Sequence, residues 1–560
     1  MLNVTHALKK DRLSRNMEDA SFLLSNKMGG YIYLGTARKS KHQGFFFNDN
    51  FLMYKTLEEI RLDGKITKIT NKFSSVIRER DNQSTEEFIL PFEYNSFIYE
   101  LKNYKGDIYF DLDCRGFNDT DDWGRFYNIV IEKNQAIINY EKQGNYWIYV
   151  VITGKNLNAE KIREKRKAHY DIDKERGEEH ELNVYNALRL KISSDTRLVI
   201  SASTDKNKAM KEGDYVFRNI NKLRRKQDNA MLYKSVIKNK EQRMAYNAAL
   251  NSLNSMLAEV NGKLGIVSGF PAHSQFWSRD EMVAIKALGK RKEASDIFSR
   301  TLRCLQDDGR LPNRIPSSVE GNADSIGWFY LRYGKKDVLD NVLNSLSSSH
   351  LKDGFLVANK KETWMGLSER EGARIELQAL LLNMHSVIGN KKAELELKEK
   401  VKGKFWNKKY LNDGINDNTI RPNAILAYYI YPELLTKEEW MKCFNNILPK
   451  LWCSWGGVST LDKKSEKFFT TCTGANNKSM FNGDSHFFMN NITAIALKNL
   501  DKKVFKDKIA KIVSASTEDI LWNGILGHHS EASSAKEMKA EGSLAKSMAA
   551  ATYIEMINSI

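Results

Sequence analysis

Apolar and polar positions follow one rhythm up to about residue 217 and another beyond about residue 219. From Met17 to Phe217 the chain carries GGYIYLGTA, GFFFNDNFLMYKTL, DIYFDLDC, RFYNIVIEK, NYWIYVVITG and TRLVISAST, each bounded by Gly, Asn or Asp. Short β-branched and aromatic runs between turn residues predict strands at the spacing of a large antiparallel sandwich. One charged stretch, 158–186, reads as a helical insert. Beyond Asn219 apolar residues recur at i, i+3 and i+4 through 241–259, 281–300, 336–347, 373–388, 421–433, 436–449, 486–499, 505–519 and 543–558. Many helices of modest length, with no strands between them and no fixed repeat, predict a helical toroid rather than a repeat array. The expected organisation is an N-terminal β-sandwich over 1–218, a linker helix over 219–240 and an all-α barrel over 241–560. Function would gather in the loops at one mouth of that barrel.

Composition narrows the classes. With 560 residues, 41% hydrophobic and 11% aromatic, the chain can bury more than one core. A net charge of +17 raises the question of nucleic acid. The basic residues are dispersed among acids, their densest clusters (Lys161 to Lys167 and Lys222 to Lys226) are short, and no recognition helix is visible, so nucleic acid is not expected. No apolar run has the length of a membrane span, and MLNVTHALKKDRLSRN lacks the apolar core of a leader. Five scattered cysteines without a CxxC pair read as reduced thiols, and a cytoplasmic location is expected. His528 and His529 lack acidic ligands at a metal-site spacing, so neither a metal nor another cofactor is expected.

The chemistry begins where a loop turns into a helix at Phe276, Trp277, Arg279 and Asp280. Asp280 in a first helical turn is explained by the helix dipole alone. A flat ring beside a guanidinium and a carboxylate is equally what a sugar needs: its C–H face stacks on Trp, and its hydroxyls bond Arg and Asp. Later loops repeat the mixture, with Asn313, Arg314, Asn322 and Asp324, then Glu362, Trp364, Glu369, Glu371 and Glu376. Arg421 and Asn423 follow, then Asp484, His486 and Asn490, then His528, His529 and Glu531. Caps account for each loop singly; their recurrence fits a sugar pocket of glycosidase type, where paired carboxylates act as acid and base. In the N-terminal half, Asp111-Asp113 and Asp119-Asp122 are expected in turns.

In the order WSRD, LPNRI…ADSIGWF, ETWM…GARIELQAL, FWN…RPNAILA, GDSHFFMNNITAIAL and SEASSAKEMKAEGSLAKSMAAATYIEMI, the helical half resembles the amylo-α-1,6-glucosidase domain of archaeal and bacterial glycogen debranching enzymes, relatives of glucoamylases. GGYIYLGTARKSKHQGFFF is similar to the start of the sandwich that precedes it. The resemblance implies an N-terminal antiparallel β-supersandwich, an all-α (α/α)6 barrel, and inverting exo-hydrolysis of α-1,6-linked glucose in a branched α-glucan. It places Glu531 on the general base, with His528, His529 and Ser530 as the polar neighbours that would keep it ionised. Trp277, Arg279 and Asp280 fall on the grip for the terminal glucose; Asp324, Glu376 and His486 line the pocket, and Arg314 and Trp364 join them as expected sugar contacts. The family's acid lies in TWMD, but here the motif reads Thr363-Trp364-Met365-Gly366. Either Glu369 or Glu371 reaches in, with Glu369 the first expectation, or Asp324 takes the role, or hydrolysis is lost and a glucan-binding pocket remains. Cleavage of α-1,4 links or small α-glucosides is the alternative activity.

Overall fold

The computed structural model describes residues 1–316 and 321–560, which divide into two compact units: 1–263 with 524–527, and 264–523 with 528–560. The expected sandwich, linker and barrel thus compare with a first unit that runs on through helix 240–256 and a short hairpin.

The first unit is strand after strand: β1 (Leu2–Leu8), β2 (Asp11–Met17), β3 (Ser21–Ser25), β4 (Tyr31–Gly35), β5 (Gly44–Asp49), β6 (Leu52–Arg61), β7 (Ile66–Asn71), β8 (Val76–Arg80) and β9 (Thr85–Ile89). It continues with β10 (Ser96–Lys102), β11 (Gly106–Gly116), β12 (Arg125–Ile131), β13 (Gln135–Lys142), β14 (Tyr146–Gly154), β15 (Ala159–His169), β16 (Glu181–Ile192) and β17 (Thr196–Ser203). They form a ten-stranded sheet in the order β12-β13-β14-β17-β10-β9-β8-β7-β1-β2 and a seven-stranded sheet in the order β15-β16-β11-β6-β5-β4-β3. Aromatic rings from the two sheets meet between them: Phe45 of β5 lies edge-on to Phe97 of β10 at 5.1 Å, and Phe22 of β3 meets Phe88 of β9 at 5.5 Å. These rings are completely buried, which makes the pair a sandwich closed by its own apolar faces.

Two expectations fail here. The stretch 158–186 is no helical insert: β15 pairs antiparallel with β16, and only the short helix α1 (Asp171–Glu175) lies between them. Lys, Arg and Glu alternate on an edge strand without entering a core, and an edge of that kind discourages pairing with other chains. Asp111 and Asp113 sit inside β11 rather than in turns. Both are buried, Asp111 against Arg61 at 2.7 Å and Asp113 between Lys55, Arg115 and Arg125 at 3.1, 2.8 and 2.8 Å.

Helices α2 (Lys206–Arg218), α3 (Ile220–Asn229) and α4 (Lys240–Met256) complete the first unit. The expected linker helix is α3 alone, followed by irregular chain to Asn239. The second unit holds α5 (Ser278–Ala284), α6 (Lys292–Leu302), α7 (Ser325–Tyr333), α8 (Leu339–Ser349), α9 (Ile375–Ile388) and α10 (Lys391–Phe405). After them come α11 (Asn423–Ile430), α12 (Lys437–Leu451), α13 (Phe487–Asp501), α14 (Lys506–Glu518) and α15 (Ser547–Ser559). The expected helix 281–300 is broken by a 3-10 turn and Gly289, while α10 was not expected. Helices α5, α7, α9, α11, α13 and α15 pack each on the next, and α15 returns to α5, which closes a ring. Their apolar residues run nearly all the way round, as in the wholly buried IELQALLL of α9, whereas α10 and α12 bury one stripe. Each ring helix starts from a loop at the same end of the pattern, where the candidate residues lie.

Candidate active site

Short antiparallel pairings hold the loops at the helix starts. Trp277 pairs with Arg314 and Phe276 with Ile315, which fixes the entry to α5. Gly269 pairs with Lys546, and the Ser547 N–H bonds Ser268 O at 3.0 Å, which ties that loop to the start of α15. His486 pairs with Ala532, and Ala532 with Glu541, which places Glu531 beside the start of α13. A cavity of about 220 Å³ opens among these loops, lined by His273, Trp277, Arg279, Asp280, Asn313, Lys361, Thr363, Trp364, Gly366, Met480, Phe481, His486, Phe488, Glu531, Lys546 and Met548.

Its charged floor is Lys546, buried between two carboxylates. The ammonium lies 2.8 Å from Asp280 Oδ2 and 3.3 Å from Glu531 Oε1, and donates to Ser268 Oγ at 3.0 Å. Glu531 also accepts the Ser543 N–H at 2.9 Å, and His273 Nδ1 stands 3.9 Å away. That approach needs Gly542: its φ is +70°, and a Cβ there would fall 2.7 Å from Glu531 Oε2. Burial favours the neutral acid at Glu531, but the charges of Lys546, His273 and His486 and the Ser543 N–H outweigh it and hold the carboxyl at about 2. At Asp280 burial is likewise outweighed, by Lys546 and Ser268, and its pKa is lowered. Lys546 loses solvation, yet the two carboxylates hold it above its ordinary value. Burial lowers the pKa of both His273 and His486. The floor is thus a carboxylate kept ionised by a buried cation.

The walls are aromatic and guanidinium. Arg279 gives its Nε to both oxygens of Asp324 at 2.8 Å, which leaves its Nη groups without an acceptor among the described residues. The Trp277 indole N–H also has no acceptor among them. Opposite, Trp364 meets the rings of Phe481, His486 and Phe488 edge-on at 6.1, 5.5 and 5.0 Å, and His486 stacks on Phe481. The cleft is thus lined by aromatic rings and a guanidinium.

Of the expected site residues, Trp277, Arg279, Asp280, Trp364, His486 and Glu531 come together on the pocket lining. Four lie elsewhere. Asp324, 1% exposed, sits behind Arg279, and burial raises its pKa despite that partner. Glu376 is buried under the wall: Arg370 binds it at 2.8 Å, binds Asp413 at 2.8 Å and donates to Thr363 Oγ1 at 2.6 Å. Asp413 in turn holds Asn423 at 2.6 Å, and Asn423 accepts the Trp364 indole N–H at 2.7 Å, so this charged cluster positions the wall. Arg314 is off the lining, bonded to Gln275 at 2.8 Å and 5.9 Å from the Trp277 ring. Glu369 does not double back. It lies in a 3-10 turn, its side chain is 48% exposed with Lys467 3.9 Å from the carboxylate, and Glu371 is also exposed.

The neighbours expected for Glu531 also change. His529 bonds Asp519 at 2.7 Å, and the Ser530 N–H bonds the same carboxylate at 2.8 Å, so both brace the loop. The groups that face Glu531, Lys546 and His273, carried one local signal: each is a lone basic residue in a run of small or apolar ones, SLAKSM and PAHSQF. Position 366 does lie on the lining, and it carries no side chain. Among the described lining residues only Asp280 and Glu531 bear carboxylates.

The sandwich, the closed ring of helices and an aromatic, charged pocket at the helix starts define a glucoamylase-like architecture. A bacterial glucoamylase solved with acarbose superposes with a TM-score of 0.63 over 98% of this chain and 95% of that one, at 11% identity. An uncharacterised conserved protein from Thermus thermophilus (TM-score 0.42, 10% identity) covers 55% of the chain and 99% of its own length. A glycosidase (0.43, 10%) covers 58% and 98%. Residues 336–554 match the family model of amylo-α-1,6-glucosidase. No curated protein matches the sequence. The chain therefore has a glucoamylase-like fold, and within it residues 336–554 are similar to the amylo-α-1,6-glucosidase family.

Proposed function

We propose that the pocket binds the terminal glucose of a branched α-glucan and removes it, α-1,6-linked, with inversion, as a barrel-borne exo-glucosidase that needs neither metal nor cofactor. The observation that carries this reading is the Glu531–Lys546–Asp280 floor. In it Glu531 is the base that takes a proton from the attacking water, Lys546 keeps it ionised, and Asp280 with Arg279 and Trp277 grips the sugar. An inverting site wants its second carboxyl about 6.5–9.5 Å from the base, on the leaving-group side. The family motif would put it at 366, where this chain has glycine. Glu369, Glu371 and Asp324 lie off the lining, and on it Asp280 and Glu531 are held ionised, Lys546 is raised and His273 and His486 are lowered. The acid step is therefore the slow one, with a loss of about 10²–10⁴ in rate on links whose oxygen must be protonated.

The vacant position favours a second reading, a pocket that holds glucan and no longer cuts it. The deciding experiment compares a branched limit dextrin, a linear maltooligosaccharide and α-glucosyl fluoride, whose leaving group needs no proton, with anomers followed by NMR. Early β-glucose from the fluoride, and slowly from the dextrin, supports the base-driven hydrolase. Glucose from the linear chain alone would move the activity to α-1,4 links. No glucose from any of them, beside saturable glucan binding, leaves the binding pocket.

A further inference from the structure

The first unit bears a surface that neither its core nor the pocket explains. Strands β12, β13 and β14 form one edge of the ten-stranded sheet. Their register sets Phe126 opposite Glu141 and Glu141 opposite Trp147; the next row on that face is Asn128, Asn139 and Tyr149. Because alternate residues share a face, these six side chains stand together on one side of the sheet. The residues between them point inward: Tyr127 stacks on Tyr185 at 4.2 Å and meets Tyr140 at 5.0 Å. Further along the same face Ala209 and Met210 of α2 cover Ile137 and Val151. Where the helix stops, the rings are bare: Phe126 is 57% exposed and Trp147 47%. Ahead of β12 the Gly124 carbonyl accepts the Gln143 N–H at 2.8 Å, which extends the pairing of β12 and β13 past Arg125.

Single exposed apolar residues are ordinary on a protein surface. Rings on neighbouring strands with amides and a carboxylate set between them are a pattern. Phe126 and Trp147 stand two strand spacings, about 10 Å, apart with Glu141 in the middle. Such a face is matched by a chain of sugars, which shows C–H patches and hydroxyl groups in alternation. Its two rows hold one charged side chain, Glu141, on a molecule of net charge +17, so its charge suits a neutral ligand and not a polyanion. The interleaved polar groups also break up the continuous apolar area that a dry protein interface needs.

We propose that this face is a docking surface for a neutral oligosaccharide, stacked on Trp147 and Phe126 and hydrogen-bonded by Asn128, Asn139 and Glu141. That the oligosaccharide is an α-glucan rests on the reading of the pocket; that it is a neutral glycan does not. The test is retardation of the full chain in native gels containing glycogen, a β-1,3-glucan or xylan, beside glucose release from a short soluble substrate. The F126A/W147A double variant should bind glycogen at least about tenfold more weakly, the scale of one lost ring contact in a desolvated site, with turnover of the short substrate unchanged. Trp147→Tyr, which keeps a ring, should retain most of the binding. Retardation by the β-glucan alone, lost in the double variant, would keep the surface and sink the α-glucan reading of the pocket. The proposal is overturned if the wild type is retarded by none of the glycans, or if the double variant is retarded equally. A double variant that changes only the oligomeric state would overturn it too, and mark the face as a contact between copies of this chain.

Discussion

Replacing Lys546 by Met tests the floor of the pocket most directly. The substitution keeps an unbranched side chain of similar length but removes the one buried cation shared by Asp280 and Glu531. Glu531 sits at about 2, against an ordinary 4.5, and Lys546 is the largest of the influences that lower it. At 1.36 kcal/mol per unit, that depression corresponds to about 3 kcal/mol of folded-state preference for the ionised form. A depressed carboxyl stabilises the fold above its unfolded pKa, and the contribution is lost as pH falls through the folded value. In the parent this loss belongs between about pH 5 and pH 2. In K546M the burial that raises Glu531 goes unopposed by Lys546, and Asp280 adds a second buried negative charge. The acid limb of kcat/KM for α-glucosyl fluoride should move up by at least about one unit. Stability at neutral pH should fall by about 3–5 kcal/mol, the range for breaking a buried ion pair from one side. Urea unfolding at several pH values and the fluoride pH profile measure both. A folded K546M with an unmoved acid limb would refute the claim that this lysine sets the ionisation of the base.

Three further outcomes are expected. Glu531→Gln should remove fluoride turnover while glucose or maltooligosaccharide binding by calorimetry stays within a few-fold, because an amide keeps the shape and cannot accept the water's proton; retained turnover would take the base role from Glu531. Gly366→Asp should raise limit-dextrin hydrolysis toward the missing 10²–10⁴, since a Cβ at 366 meets only Phe481 Cε2, at an ordinary 3.6 Å; an unchanged rate with intact binding would show that 366 is not the acid position. Glu369→Gln should leave every rate unchanged within about twofold, as its half-exposed side chain lies off the pocket. A large loss there would restore Glu369 as the acid.

What the sequence showed depended on how locally each signal was written. GFFFND reads as a strand because every ring in it has a core to enter, and IELQALLL reads as a buried helix for the same reason. The stretch 158–186 misled because its charges at β15 face water from a sheet edge, where no alternation of apolar residues is needed to hold a strand. Trp277, Arg279, Asp280 and Glu531, which meet on the pocket lining, lie in loops whose mixture of residues is legible locally. Lys546 has only the faint local signal of SLAKSM, and its meaning is mostly tertiary: it looks like a surface lysine until Gly269 pairs with it. Glu376 was misplaced for the converse reason, since nothing local says that Arg370 and Asp413 will enclose it.

The ring of helices closes at one seam, where α15 returns to α5, and the pocket is built across it. Asp280 belongs to one side of the seam, Glu531 and Lys546 to the other, and Lys546 reaches Ser268 over 278 positions of sequence. Contacts of such contact order form late, because the loop entropy they close is repaid by nothing before they form. A nascent chain therefore has helices long before it has a site, and a chaperone or protease that meets it before α15 docks meets an open arc with its apolar ends exposed. Ligand that bridges the two sides should act as a clasp on that arc and slow its opening, so protection of α15 amides from exchange would report occupancy of a pocket that α15 itself barely lines.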